Sequence, residues 1–99
     1  MSNLPKNHNL TVDDVFALRL KEARKRAEIS QEKLGVLAGI DEFSASARMN
    51  QYERGKHVPD FLMAEKLAKV LGVPAAYFYA RDDRLAEYIL DFKFDSDSS

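Results

Sequence analysis

The sequence predicts an all-α bundle of five core helices followed by a sixth helix. Apolar residues recur every three or four positions in several segments, which is the spacing of one helix face. Thr11, Ser30 and Asp60 precede three of these segments, and such residues commonly cap the N-terminus of a helix. Gly39 and Gly72 follow two of them, where glycine often ends a helix. A chain of 99 residues is long enough for one domain of this kind.

The composition is that of an ordinary globular protein, with 45% hydrophobic and 31% charged residues. The chain has no cysteine, which excludes disulfides and thiolate metal sites. Because no apolar run is long enough to span a bilayer, we expect a cytoplasmic protein that does not contact membranes. Residues 19–57 contain nine Lys or Arg against six Asp or Glu, whereas residues 81–99 contain three against six. A modestly basic body is therefore followed by an acidic tail.

The N-terminal part divides into an arm and a first helix. Residues 1–10 show no periodicity and are predicted to form a flexible arm. The domain proper, residues 11–80, begins with Thr-x-x-Asp at Thr11, which places a cap and an acid in a first turn. An apolar stripe then runs through Phe16 and Leu20. The basic residues of this helix are predicted to form a solvated face: Arg19, Lys21, Arg24, Lys25 and Arg26.

A second short helix starts after Ser30 and ends before Gly39. Gly35 lies within it, although glycine costs about 1 kcal/mol there relative to alanine, so we expect another helix to cross closely at this point. The sequence does not decide which of residues 40–43 are buried and which cap the next helix. Either Ile40 or Phe43 is expected to fill the core, and Asp41 and Glu42 are either caps or solvated residues.

The third predicted helix, about residues 44–52, has two different faces. Ala45, Met49 and Tyr52 form an apolar side. The opposite side is small or polar and follows the spacing i, i+3, i+4 and i+7: Ser44, Ala47, Arg48 and Gln51. Arg and Gln can form bidentate hydrogen bonds to base edges, and small residues let a helix enter a major groove about 12 Å wide. These features predict a DNA-recognition helix in which Ser44 or Ser46 is the cap and both are candidates for base contacts.

The fourth and fifth helices follow the same signals. Asp60 caps the fourth, which carries Leu62 and Leu67 at helical spacing toward the predicted core. Pro74 opens a short fifth helix at residues 75–79, where proline is well tolerated. The three aromatic residues of this segment are predicted to close the core: Tyr77, Phe78 and Tyr79.

The last predicted helix, residues 82–92, is the C-terminal addition to this domain. One side carries an apolar stripe: Leu85, Tyr88, Ile89 and Phe92. An apolar stripe on a small domain that is already complete is either additional core or a surface for a partner. We expect it to support self-association or to bind another protein. The remaining residues to Ser99 are acidic and serine-rich, which predicts a disordered tail.

Three motifs in the same order resemble the Cro/repressor-type helix-turn-helix regulators, also called XRE-like and typified by prophage repressors. They are SQEKLGVLAG at 30–39, ERGKHVPD at 53–60 and LAKVLGV at 67–73. The resemblance covers roughly residues 16–78 and implies a lambda-repressor-like five-helix bundle that binds double-stranded DNA. It also implies phosphate contacts from Gln31, Arg54, Lys56 and His57. The chain departs from the family pattern by about four extra residues, which we place at 40–43.

The resemblance implies a sequence-specific transcriptional regulator, expected to be a repressor that binds a palindromic operator as a homodimer. One alternative is an antitoxin of the same fold whose residues 81–99 bind a toxin protein. Another is a protein–protein adaptor that has lost DNA binding, which the net charge of −1 and the carboxylates of Asp41 and Glu42 motivate. The chain contains only two histidines, far apart, and no phosphate-binding glycine loop or metal-ligand spacing. We therefore predict no enzyme activity, no cofactor and no metal.

Overall fold

The structure, a computed structural model, describes residues 10–92, and all the regular elements of that range are helical. They are α1 (Val12–Arg26), α2 (Gln31–Leu37), α3 (Glu42–Glu53), α4 (Phe61–Leu71), a 3₁₀ helix (Ala75–Tyr79) and α5 (Asp83–Asp91). The predicted all-α bundle with an added C-terminal helix is confirmed. The predictions of a flexible arm and a disordered tail fall on residues 1–9 and 93–99, which lie outside the described residues.

Side chains cap the helices where the sequence indicated caps. The hydroxyl of Thr11 accepts a hydrogen bond from the backbone N–H of Asp14 at 3.1 Å, and the Asp14 carboxylate accepts one from the N–H of Thr11 at 3.3 Å. Ser30 and Asp60 each accept from the N–H three residues later. Each such cap typically contributes about 1 kcal/mol. Gly72 ends α4 with a φ of 71°, in the left-handed region.

The hydrophobic core lies between the first four α-helices and the 3₁₀ helix. Phe16 of α1 is fully buried, and its ring centroid lies 4.9 Å from that of Phe78. The other large core side chains come from α1, α2, α3, α4 and the 3₁₀ helix: Leu20, Leu34, Met49, Leu67 and Tyr77. Burying each of them contributes roughly 1.5–3 kcal/mol relative to exposure. Two predicted core positions are wrong in part, because Leu62 is 60% exposed and Tyr79 is 39% exposed.

Helices α2 and α3 cross closely at Gly35, as the glycine inside α2 predicted. A Cβ atom placed on Gly35 would lie 2.9 Å from the Cβ of Ala45 and 3.1 Å from the Cγ of Met49. Side chains at van der Waals distance need more space than this. The absence of a side chain at position 35 therefore sets how near α3 comes to α2.

The predicted solvated face of α1 is wrong for two of its five basic residues. Arg19 is only 3% exposed, and its guanidinium donates to the carbonyl of Ala80 at 2.8 Å and lies 3.0 Å from the Asp83 carboxylate. Arg24 forms an ion pair with Glu53 of α3. Both arginines lie three or four residues after a buried residue of α1, so they share its core-facing side. Arg19 is buried and Arg24 is partly buried because each finds a carboxylate and a carbonyl there.

The C-terminal helix α5 packs on the outside of this core. Ala86 is its buried residue, and Asp82 caps its N-terminus by accepting from two backbone N–H groups. Nearby, the hydroxyl of Tyr77 donates to Glu22 at 2.9 Å. Burial, reinforced by this carboxylate, raises the pKa of Tyr77 above its ordinary value. Polar contacts and the buried Ala86, with Ile89 and Leu90 partly buried beside it, thus hold α5 against the rest of the bundle.

Candidate DNA-binding surface

The predicted recognition helix, α3, begins two residues earlier than expected. It begins at Glu42, and its cap is Asp41, whose carboxylate accepts from the N–H of Phe43 at 3.0 Å. The predicted caps Ser44 and Ser46 are therefore wrong, and both residues lie within the helix. Two of the four extra residues, Glu42 and Phe43, lengthen the helix, because aspartate is among the best N-cap residues and Asp41 precedes them. Of the two candidates for the core, Ile40 is buried and Phe43 is 98% exposed.

One side of α3 is held in the core, as predicted. Ala45 and Met49 are fully buried, and Tyr52 is 7% exposed. These three residues pack α3 against α2 and α1, and they leave the opposite side of the helix in solvent. The buried side fixes the rotation of α3, so the rest of the protein determines which side chains face outward.

A charged cluster holds the C-terminal end of α3. The Glu53 side chain is 3% exposed and accepts hydrogen bonds from two guanidinium nitrogens of Arg24 and, at 3.1 Å, from the side-chain amide of Gln31. A third nitrogen of Arg24 donates to the carbonyl of Ile29 at 2.9 Å. The cluster joins α1, the α1–α2 turn, α2 and α3. The sequence analysis missed Arg24, although its position four residues after Leu20 places it on the buried side of α1.

The outward side of α3 carries the predicted base-contacting residues. Four of them lie within about 100° of helix rotation and are exposed: Ser44, Ala47, Arg48 and Gln51. Ser46 is also exposed but lies about 140° around the helix from Gln51. The structure therefore brings four of the five candidates onto one face and leaves Ser46 at its side.

Arg48 lies on the edge of that face that is nearest to α4. With Tyr52 it lines a shallow cavity of about 210 Å³, whose other walls come from the start of α4. The other lining residues include Asp60, which caps α4, and Lys66 of α4. Arg48 is exposed to solvent, so the cavity lies beside the outward side of α3.

The loop after α3 presents three of the four predicted phosphate-binding residues. Arg54, Lys56 and His57 are exposed. Gly55 has a φ of 75°, which reverses the chain, and the N–H of Lys56 then donates to the carbonyl of Gln51 at 2.9 Å. The fourth residue, Gln31, is only partly exposed and uses its amide to hold Glu53. Cationic side chains thus follow the C-terminal end of the recognition helix.

Comparison with known proteins agrees with this arrangement of helices. The sequence profile of the helix-turn-helix family matches residues 20–78. The crystal structure of the transcriptional regulator BswR superposes with a TM-score of 0.73 at 53% sequence identity, and the match covers 83% of this chain and 84% of that one. No curated protein matches the sequence significantly. The chain belongs to the helix-turn-helix family of DNA-binding transcriptional regulators, of the Cro/repressor (XRE-like) type.

The part of the chain that the structure describes contains neither a metal-binding cluster nor a membrane-spanning helix. Within residues 10–92 no three His, Asp or Glu side chains are grouped closely enough to bind a metal ion. Over the same range no helix has the length and apolar character needed to cross a membrane.

Proposed function

We propose that the protein represses transcription by binding a palindromic operator as a homodimer, in the cytoplasm where the DNA lies. The observation that carries the proposal is the exposed face of α3 bearing Ser44, Ala47, Arg48 and Gln51. In this proposal α3 enters the major groove, where Arg48 hydrogen-bonds guanine and Gln51 adenine, the pairings that their geometry favours. Ala47 and either Ser44 or Ser46 pack against neighbouring base edges or thymine methyl groups.

The loop after α3 supplies the contacts that set affinity and register. Arg54, Lys56 and His57 are exposed beyond the C-terminal end of α3, and this exposure supports contacts from them to the phosphate backbone of a bound duplex. Gln31 contributes a neutral hydrogen bond with its free amide atoms while it continues to hold Glu53. Phosphate contacts make binding salt-dependent but add little sequence preference.

A fluorescence-anisotropy titration with duplexes that tile the region upstream of the gene tests the base contacts. The Arg48→Ala/Gln51→Ala variant should lose its preference for one tile, because each bidentate contact contributes about 1–3 kcal/mol of discrimination. It should retain weak, salt-sensitive binding to every tile through the loop cations. Lys21→Ala, which removes one exposed positive charge from α1 instead, is the matched control and should keep the preference.

Each outcome of the titration has a definite meaning. Equal, weak binding of all tiles by the wild type and the double variant would show that this face of α3 does not select sequence. No binding at low salt would exclude the DNA function and favour the adaptor. Repression is then tested by placing the bound tile before a reporter gene, whose expression should fall when the wild-type protein is present.

The homodimer is proposed to form through α5. On this helix Leu85 is 50% exposed, Tyr88 67% and Phe92 59%, and Ile89, partly buried, continues the same stripe. A two-fold dimer would place two α3 helices in successive major grooves, about 34 Å apart along the DNA. A second copy of the chain is the partner proposed for the α5 stripe. The two-fold symmetry of a palindromic operator matches the two-fold symmetry of an isologous dimer.

Sedimentation of matched variants tests this interface. Leu85→Ser/Tyr88→Ser should yield monomers, whereas Phe61→Ser/Leu62→Ser on α4, where the two side chains are 67% and 60% exposed, should leave the dimer intact. The reverse result would place the interface on α4. A wild-type monomer that is purified from its host with a stoichiometric second protein would instead support the antitoxin function.

A further inference from the structure

The N-terminal turn of the recognition helix exposes an aromatic side chain that has no function in the fold. Phe43 is 98% exposed, although it immediately follows the first residue of α3. The neighbouring extra residue Ile40 is 6% exposed and already fills the core at this point. A benzyl group left in water contributes no burial free energy to the fold, and it would contribute such free energy only in a complex that covers it.

The position of Phe43 continues the row of side chains that faces the DNA in the proposed function. Phe43, Ala47 and Gln51 follow one another at intervals of four residues, so they form one ridge along the exposed side of α3. At 1.5 Å per residue, Phe43 lies about 12 Å from Gln51 along the helix axis. In helix-turn-helix complexes the N-terminal residues of the recognition helix contact base edges. The two additional helical residues, Glu42 and Phe43, therefore extend this ridge at the end that meets the bases in the proposed function.

The chemistry around Phe43 limits what can cover it. A phenyl ring cannot form hydrogen bonds with base edges, and the apolar group that DNA exposes in the major groove is the C5-methyl of thymine. The carboxylate of Asp41 is occupied by the N–H of Phe43, and Glu42 is exposed beside it. Two carboxylates at this end of α3 disfavour a position against phosphates. They are compatible with the floor of the groove, where cytosine and adenine offer N–H donors.

We propose that Phe43 is a specificity-determining residue that packs against a thymine methyl group in each half of the operator. The proposal rests on the proposed function, because it requires α3 to enter the major groove. The Phe43 contact adds a preference for thymine at the base pair next to the one that Ala47 contacts. It also gives a function to the extra residues that distinguish this chain from the usual family pattern.

The test compares thymine with uracil, which lacks the C5-methyl group and keeps the same hydrogen-bonding edge. Full-length protein first selects its preferred site from a pool of randomised duplexes. Each thymine of the selected duplex is then replaced singly by deoxyuridine, and affinities are measured for the wild type and Phe43→Ala. Phe61→Ala on α4, an exposed phenylalanine outside α3, is the matched control.

At one thymine in each half-site, uracil should weaken wild-type binding about fourfold, the factor that corresponds to burial of one methyl group. Phe43→Ala should bind the thymine duplex at least fourfold more weakly than the wild type and should not distinguish thymine from uracil. Phe61→Ala should keep both the affinity and the thymine preference. Circular dichroism of Phe43→Ala should match that of the wild type, because the side chain makes no contribution to the core.

Three results would overturn the proposal. If no site is selected, the proposed function fails and this proposal fails with it. If a site is selected but Phe43→Ala keeps the wild-type thymine preference, only the contact by Phe43 is excluded. If Phe43→Ala binds DNA normally but changes the oligomeric state, the side chain lies in a protein interface.

Discussion

Helices α3 and α5 both present an exposed face, but the protein holds them in different ways. Three side chains and the buried carboxylate of Glu53 fix α3, so neither its rotation nor its C-terminal end is free. Helix α5 buries Ala86 and is tied mainly at its start, through Asp83 and Arg19. A cavity of about 280 Å³ remains open between α1 and α5. The exposed side of α3 is mostly polar or small, whereas that of α5 is apolar.

This difference matches what each face has to do. A helix that distinguishes base edges must hold its side chains in one geometry, since hydrogen bonds weaken steeply with misalignment. A helix that pairs with another protein can complete its packing in the complex, because burial of apolar area is not directional. Buried charge and close packing lie behind α3, whereas the exposed stripe of α5 would complete its packing in the proposed dimer.

The largest expected effect comes from removing the charge behind α3. Glu53→Ala should lower the free energy of unfolding by about 3–5 kcal/mol, because it leaves the guanidinium of Arg24 buried without its carboxylate. Asp83→Ala, the corresponding change at α5, should cost about 1–2 kcal/mol, because Arg19 keeps its carbonyl acceptors. Urea denaturation of the two variants and the wild type measures both changes in unfolding free energy, from the shift of the midpoint at constant m-value. An equal or greater loss for Asp83→Ala would mean that α5 is as integral to the fold as α3.

A smaller effect is expected where α3 crosses α2. Gly35→Ala should lower stability by about 1 kcal/mol, because overpacking costs about 1–3 kcal/mol and the gain in helix propensity returns about 1 kcal/mol. The added methyl group would meet the Cβ of Ala45. In the double variant Gly35→Ala/Ala45→Gly that collision is relieved, so the two changes should be non-additive in a double-mutant cycle. If the two changes in unfolding free energy were strictly additive, the Cβ atoms at positions 35 and 45 would not collide, and α2 and α3 would move apart without loss of stability.

The smallest effect concerns Tyr77, under α5. At neutral pH Tyr77→Phe should cost about 1 kcal/mol, the net contribution of its hydrogen bond to Glu22. The pKa of Tyr77 is raised in the folded protein, so the fold keeps the phenol protonated above the ordinary pKa of about 10. Wild-type stability from this group is therefore complete below about pH 10 and is lost as the pH rises toward the folded pKa. Phenylalanine has no such dependence.

The measurement is the difference in unfolding free energy between the wild type and Tyr77→Phe, by urea titration at about pH 8 and about pH 11. The difference should shrink at the higher pH. Tyr88→Phe, at an exposed position of α5, is the control and should show no comparable change. A difference that stays constant across this range would mean that the Tyr77 phenol titrates alike in the folded and unfolded chains.

The sequence predicted the helices well because their signals are local. Caps at Thr11, Ser30 and Asp60 and the left-handed Gly72 act within a few residues, and each was confirmed. The apolar side of α3 was also predictable, since Ala45, Met49 and Tyr52 follow its periodicity. Three sequence motifs in the family's order were enough to assign the chain to the helix-turn-helix family. The base and phosphate contacts remain predictions, because they depend on a duplex.

The start of α3 and the two buried arginines could not be read from local signals. Asp41, Ser44 and Ser46 are all acceptable caps, and the choice among them depends on whether Ile40 or Phe43 enters the core. Arg19 and Arg24 lie on the core-facing side of α1, but a charged residue is buried there only if a partner reaches it. Those partners, Asp83 and Glu53, are supplied by distant parts of the chain.

By itself the sequence determined the helical class, the caps, the family and the inward side of the recognition helix, because these depend on spacing and on neighbouring residues. Only the tertiary structure decided where that helix begins, which arginines are buried and that Phe43 is left in solvent. The physical reason is that burial is a competition among side chains that are distant in sequence. Ile40 fills the space available beside α3, so Phe43 lies outside it.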